Sequence, residues 1–381
     1  MPDASQASTS SSQSTQDDPA ALEADPLVPM LACKRRSPRP CVNQALVDAL
    51  APLRTMRFLQ YGPQHEKSIA YATAISVIIG TPFKIETKEQ ARRLPKVGEK
   101  IVIKIDEFLR TGKIQDSLDV VNTHMYKTLS YLQSFMGIGH TKSMELYNQG
   151  IHNEIDLMRA MPGLEWQLKY HADLQEKIPR AEVESIRNFI QIQIDRVKPG
   201  AHLELCGGYR RGKEFSNDVD ILITYPHKEG EEKGVLDKLI ERLRAKGLIP
   251  PSGVSNHSSA ATFRTIAPNR PASAIDALDK ALIVFRHPAN DTNRPRDKYR
   301  RVDLVVANWE SWGTAVIGWT GSTQFERDLR RHAKTMNIKF DSGGMRKRDT
   351  DEVVGPFSQE KDVFRYFKLD YIPPEERNAD P

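Results

Sequence analysis

The chain changes its hydrophobic rhythm near residue 200, and this restricts its fold more than any other feature. From about residue 43 to 200, apolar residues recur at helical spacing. The clearest stretch runs from Ala181 to Val197, where Val183, Ile186, Ile190 and Ile194 line one face before Pro199-Gly200 breaks the pattern. Beyond about residue 202 the apolar runs become short. Leu203 to Cys206, Val219 to Thr224, Ala281 to Phe285 and Val302 to Ala307 read as strands, with one helix at about 232 to 246. A last helix is predicted at about 323 to 336. It opens with Thr323-Gln324-Phe325-Glu326, the spacing of a capping box, and carries Arg327, Arg330, Arg331 and Lys334 along one face. Helices first and strands later imply an α+β chain of separate units, and 381 residues suffice for two or three of them.

Charge separates the ends. Residues 1 to 28 hold five acids and no Lys or Arg, so a tail at −5 in a chain of net +5 leaves +10 for the remainder. That tail is rich in Ser, Gln, Ala and Asp and lacks aromatics, so it is expected to be disordered. Lys34-Arg35-Arg36 follows, readable as a weak nuclear signal, a phosphate contact or a solvated linker, and no further folded unit is expected before residue 30. The basic remainder suits an anionic partner such as nucleic acid. The three cysteines, Cys33, Cys41 and Cys206, form no CxxC pair, and the histidines lack zinc-ligand spacing. A reducing intracellular compartment is expected. No apolar run approaches the roughly 20 residues of a membrane span, and no basic-then-apolar leader opens the chain.

The chemistry concentrates around Asp218-Val219-Asp220. Residues two apart on a strand share a face, so both carboxylates project together. Such a pair repels itself unless cations intervene, and hard divalent cations favour oxygen ligands. Asp303 is a lone acid among apolar residues on a second predicted strand. Just before the pair lies Gly207-Gly208-Tyr209-Arg210-Arg211-Gly212-Lys213, where glycines admit a close approach to phosphate and the Arg and Lys residues supply positive charge. In the helical half, Met136-Gly137-Ile138-Gly139 has the form of a helix-hairpin-helix turn. Leu94-Pro95-Lys96-Val97-Gly98-Glu99 resembles it but has Lys96 where a glycine is usual, so a strained or shifted turn is expected. Lys104 sits between apolar residues, a setting that lowers a lysine pKa and suits a Schiff-base nucleophile. Pro250 to Ser273 reads as one long loop.

Together with Gly318-Trp319-Thr320-Gly321-Ser322 and the ending Leu369 to Ala379, these strings resemble the family X DNA polymerases over nearly the whole chain after residue 30. The resemblance implies a disordered tail (1–28), a helical lyase-like domain (29–125), fingers with a helix-hairpin-helix turn (126–200), a mixed-sheet nucleotidyltransferase palm (201–315) and a small α/β thumb (316–381). It implies catalysis with two Mg2+ ions, replaceable by Mn2+. Asp218 and Asp220 would touch both ions and Asp303 mainly one. Gly207, Gly208, Arg211, Lys213, Gly318 and Trp319 would bind the incoming nucleotide. Lys67, Tyr71, Lys100, Gly137, Gly139, Arg301 and Arg330 would contact DNA, with a monovalent cation at the helix-hairpin-helix turns.

Within the family, Gly207-Gly208 and Gly318-Trp319 resemble the branch of polymerase mu and terminal deoxynucleotidyltransferase, and the stretch from about Ser252 to Ser273 falls where that branch has a template-substituting loop. Lys104 instead resembles the lyase lysine of polymerases beta and lambda. Asn217 stands where the mu branch carries histidine, which favours templated, end-bridging synthesis over untemplated addition. The expected function is gap filling and end bridging in non-homologous end joining, with weak sugar discrimination. Base-excision repair with 5′-deoxyribose phosphate lyase activity and a non-catalytic DNA-end scaffold are the alternatives. Expected partners are gapped or broken duplex DNA, dNTPs and rNTPs, Ku and the end-joining ligase complex, with no membrane. A nuclear monomer is expected.

Overall fold

The computed structural model describes residues 27–228, 230–258, 278–289 and 297–381. Five helices build the first unit: α1 (Gln44–Tyr61), α2 (Glu66–Ile79), α3 (Lys88–Arg92), α4 (Glu99–Thr111) and α5 (Gln115–Val120). Leu50, Ile75, Ile78, Val102 and Ile105 meet in its core. Thr87 and Gln90 form a capping box on α3, and Gly112 ends α4 in a left-handed conformation. At the turn between α3 and α4, Lys96 has φ 63°, so the lysine takes the conformation that glycine usually supplies. That costs roughly 1–2 kcal/mol for a residue with a Cβ. The expected strain is present and the turn persists.

A second helical group follows: α6 (His124–Leu132), α7 (His140–Asn148), α8 (Glu154–Ala160) and α9 (Glu165–Gln175). It closes around Leu132, Phe135, Ile138, Leu146 and Leu157. Gly137 has φ 90° and Gly139 caps α7, and a Cβ on either would meet nothing within 4 Å. This turn is therefore open for a backbone approach.

Among the described residues the largest sheet has five strands in the order β2-β4-β7-β6-β5, namely β2 (His202–Leu205), β4 (Val219–Thr224), β5 (Val254–Ser258), β6 (Asp279–His287) and β7 (Lys298–Val306). Only the β4–β7 pairing within it is parallel. A short pair, β1 (Ile178–Pro179) with β3 (Phe215–Ser216), leads into β4. One face of the sheet packs Ile221, Ile223, Ile283 and Leu304 against α10 (Arg180–Asp195) and α12 (Val235–Ala245). The other face sets Leu222 and Val305 against Trp312 and Val316 of α13 (Trp312–Thr320). A strand covered on both faces reads as a continuous apolar run, as Ile221 to Ile223 does within β4. The segment read as one long loop from Pro250 begins instead with β5. Antiparallel pairing to β6 outweighs its weak local signal, and residues 259–277 lie outside the described residues.

The last unit holds α14 (Thr323–Thr335), the strands β8 (Ile338–Asp341), β9 (Gly344–Lys347) and β10 (Val353–Val354), and α15 (Glu360–Tyr366). The expected capping box does not form. Ser322, not Thr323, is the N-cap of α14, and its hydroxyl accepts the Ala379 N–H at 3.0 Å. The tertiary partner displaces the local motif.

The readings of a tail reaching residue 28 and of a solvated linker at Lys34-Arg35-Arg36 are also corrected. Residues 1–26 lie outside the described residues, but Val28 is buried in the first core, and Ala32 and Cys33 in the last one. The Ala32 N–H donates to Asp328 Oδ2 at 2.9 Å. Arg35 is 6% exposed and donates to Pro29 O, Met30 O and Ser76 Oγ. Ser37 pairs with Arg377 as a parallel bridge. This strap ties the first unit to the last, and Arg35 is neither a solvated residue nor a phosphate contact. All three cysteines are buried and unpaired.

Candidate active site

The parallel register places Asp220 directly opposite Asp303, and Val219 opposite Val302. Neighbouring strands run about 4.8 Å apart, so these carboxylates project side by side from the middle of the sheet. Asp218 precedes β4 by one residue and faces them. The site is electrostatically unsatisfied. Burial, then repulsion from Asp218 and Asp303, holds Asp220 well above the ordinary carboxylate range. Burial and Asp218 push Asp303 up to about 7, with Arg301 pulling the other way. Arg301 donates to Asp218 Oδ2 at 2.9 Å, the one ion pair made to the trio among the described residues.

The turn beside the acids is built around them. The Cys206 N–H donates to Asp220 O at 2.9 Å, and the chain then enters the short helix α11 (Gly207–Arg210). Gly207 has φ 54°, and a Cβ there would overlap the Asp220 carboxylate. Glycine is required for both reasons. Arg180, which sequence reasoning missed, stacks its guanidinium 3.7 Å from the Tyr209 ring centroid and donates to Tyr209 O and Lys213 O. It thereby fixes the curl that follows Gly208. Burial, then Arg211, then Arg39 lower the Lys213 ammonium to about 8. Arg211 reaches the last unit, donating to Thr320 O and to Asn378 Oδ1. Arg210 is structural, held by Glu204 and Glu360.

Gly318 lies on α13, tight against the β8–β9 turn, and a Cβ there would sit 2.7 Å from the Ser342 Cβ. Trp319 beside it buries an indole N–H that finds no acceptor among the described residues. Asn217 accepts a hydrogen bond from Lys177, another residue that the sequence reading passed over. On α14, Arg330 is exposed and pairs with Glu326 at 2.8 Å. Arg327 does not share that role, because it donates to Pro63 O of the first unit.

Lys104 requires a correction. Its ammonium meets Asp116 Oδ2 at 2.8 Å and Glu107 Oε2 at 3.3 Å, and these carboxylates raise its pKa, Asp116 first. The expected depressed pKa is absent. Its apolar sequence neighbours point elsewhere on α4, while Asp116 arrives from α5. Lys67 lies 4.7 Å from the Tyr61 ring centroid, Tyr71 packs on the first core, and Lys100 is exposed.

Family models match along the chain: a helix-hairpin-helix domain at residues 41–114, the DNA polymerase beta palm at 177–308 and the DNA polymerase beta thumb at 315–378. The human DNA-directed DNA/RNA polymerase mu is 31% identical over 92% of this chain and 72% of its own length. The DNA nucleotidylexotransferase of Xenopus laevis is 30% identical over 92% of this chain and 71% of its own length. The chain belongs to the X family of DNA polymerases. The DNA polymerase type-X family protein pol4 of Schizosaccharomyces pombe is also similar, at 28% identity over 92% of this chain and 68% of its own length. As an X-family polymerase the chain is a DNA-binding nucleotidyltransferase, and the scaffold reading is set aside. Members of this family use divalent cations. Among the described residues, no three His, Cys, Asp or Glu side chains stand ready-made around one metal position. The donor set still fits a hard cation, because Asp220 and Asp303, crowded beside Asp218, have raised affinity for protons and are relieved by any positive charge placed among them.

Proposed function

We propose that this polymerase adds nucleotides to primer 3′-hydroxyls in gaps and at broken ends bridged by short complementary overhangs. The register of Asp220 against Asp303, with Asp218 alongside and the Gly207–Gly208 turn beside them, carries the reading. Asp218, Asp220 and Asp303 would hold two Mg2+ or Mn2+ ions, Asp218 turning away from Arg301 to do so. Metal bound there would lower the pKa of the attacking hydroxyl and neutralise triphosphate charge. Gly207, Gly208 and Lys213 receive the triphosphate, while Arg211 keeps the turn registered on the thumb. Arg301, released from Asp218, is placed to meet a primer phosphate. Gly137 and Gly139 offer amides to a DNA backbone, where a monovalent cation would also sit. Arg330 faces the template strand.

Gly318 puts no side chain beside the sugar position, which supports use of both dNTPs and rNTPs. The human relative's name, a DNA/RNA polymerase, points the same way. Asn217, tied to Lys177 and uncharged, supports templated synthesis. End joining in the nucleus, alongside Ku and the ligase complex, is the setting this chemistry suits.

The test compares dNTP and rNTP addition on gapped duplex, on ends with short complementary overhangs and on single strands. Gaps and overhangs are expected to accept both sugars, and single strands to be extended poorly. Strong rejection of rNTPs would remove the sugar assignment. Asp220→Asn is expected to reduce addition by roughly 10³-fold or more on every substrate. An active Asp220→Asn enzyme would overturn the site.

A further inference from the structure

A cleft of about 690 Å³ opens between the first unit and the palm, beside Asp218. Four cations line it: Arg39, Lys177, Arg211 and Lys213. Asp48, Glu214 and Asp218 line it as well, so it is not uniformly positive. The cations differ in how they are engaged. Arg211 is committed to Thr320 O and Asn378, and Lys177 to Asn217. The Arg39 and Lys213 side chains make no hydrogen bond or ion pair among the described residues. Arg39 is nevertheless close enough to destabilise the charge on Lys213. Two cations held near each other without a partner constitute a stored repulsion that an anion would relieve.

Arg39 is also held in place. Two residues before it, the Ser37 N–H donates to Glu376 O at 2.7 Å, and the Asn378 N–H donates to Ser37 O at 2.9 Å. Two residues after it, Cys41 is 7% exposed in the first core. Pro38 and Pro40 flank it and restrict its backbone. Asn378, which grips the strap, also binds Arg211 in both directions, accepting from its Nε and donating to its carbonyl oxygen. The strap, the glycine turn and the end of the chain thus form one connected frame, with the Arg39 guanidinium on its rim.

We propose that Arg39 is a phosphate ligand of this cleft, acting with Lys213 on the polyanion that enters beside the acids. The proposal rests on the polymerase site described above and adds a residue from outside the palm and thumb. The phosphate has two possible sources, the triphosphate of the incoming nucleotide or a terminal phosphate of the gapped DNA. An exposed guanidinium bonded to phosphate predicts a loss of about three- to tenfold when its charge is removed.

The full chain is tested as Arg39→Ala, Arg39→Glu and Arg39→Lys. KM for dNTP is measured on a one-nucleotide gap, and Kd is measured for gaps bearing a 5′-phosphate or a 5′-hydroxyl. A raised KM with unchanged kcat and DNA Kd assigns the triphosphate. A weakened Kd confined to the 5′-phosphorylated gap assigns the DNA end. In either case Arg39→Glu should be worse than Arg39→Ala, and Arg39→Lys should recover part of the loss. KM and both Kd values within twofold of wild type in Arg39→Ala and Arg39→Glu overturn the proposal. Asp220→Asn is assayed in parallel. Retained synthesis there would remove the polymerase-site assignment, whereas Arg39 is judged on the binding constants alone.

Discussion

On β7, Arg300 and Asp303 lie three residues apart and meet opposite electrostatic surroundings. Arg300 is 1% exposed and fully engaged. It donates to both Glu182 carboxylate oxygens at 2.9 and 3.0 Å and to Asp173 O at 2.8 Å, fastening β7 to α9 and α10. Burial alone would raise the Glu182 pKa, but hydrogen bonds from His287 and Arg300 hold it at about 2. Among the described residues Asp303 has no such partner, and it sits at about 7. One strand therefore carries a charge cluster that is complete without a ligand and another that is not. The complete cluster belongs to the scaffold, and the incomplete one is where the proposed metal and nucleotide site lies.

Removing one member of the complete cluster should have the larger effect on stability. Glu182→Ala leaves the buried Arg300 with only its longer, 3.5 Å ion pair to Glu176, which is expected to destabilise the fold by about 3–5 kcal/mol. Chemical denaturation would measure this, and a loss under 1 kcal/mol would mean the pair contributes little. Asp220→Asn should behave in the opposite manner, abolishing synthesis while leaving the melting temperature unchanged or higher.

The two clusters should also respond to pH with opposite sign. Glu182 has a folded pKa below its ordinary 4.5, so its contribution is present above pH 4.5 and lost as pH falls toward 2. Asp303 has a folded pKa above its ordinary 3.8, so between about pH 4 and 7 the folded chain binds a proton that the unfolded chain does not. Its contribution therefore declines as pH rises through that window. Without divalent cations, melting temperatures at pH 5 and 8 should show this decline, and Asp303→Asn should reduce it. Added Mg2+ should stabilise the wild type more at pH 8 than at pH 5. Equal stabilisation at both would argue that the acids are not its ligands.

The smallest effect is expected at Lys104. With Asp116 holding its proton, borohydride trapping on 5′-deoxyribose phosphate DNA should be slow. Asp116→Asn should increase it several-fold at neutral pH. Equal trapping by Lys104→Ala and wild type would remove Lys104 from any lyase role.

What the sequence revealed and what it hid divide along the same physical line. The strands, α10 and the three acids were legible because hydrophobic period and the two-residue alternation act locally. The Gly207–Gly208 turn was legible from its residue types. Partners distant along the chain were not. Glu182 lies 118 positions from Arg300, and Asp328 lies 296 from Ala32. No local pattern announces either contact. The Lys104 environment was misjudged because its apolar neighbours were visible while Asp116, on the next helix, was not. Thr323 carried a valid capping signal that lost to the contact between Ser322 and Ala379. Arg39 had a faint signal, a lone arginine between two prolines, whose meaning appears only when the chain's two ends are brought together.

The strand order β2-β4-β7-β6-β5 has a consequence for tolerance to length change. The acids sit on β4 and β7, and the link from β5 to β6 leaves from the far edge of the sheet, with β6 standing between β5 and the acids. β6 is paired to β7 along nine residues, so its register is anchored independently of that link. Loop-closure entropy grows only logarithmically, about 0.6 kcal/mol per doubling of length. Insertions and deletions between β5 and β6 should therefore be nearly neutral for the carboxylate geometry. This gives the scaffold a place where length can vary without disturbing the proposed catalytic acids.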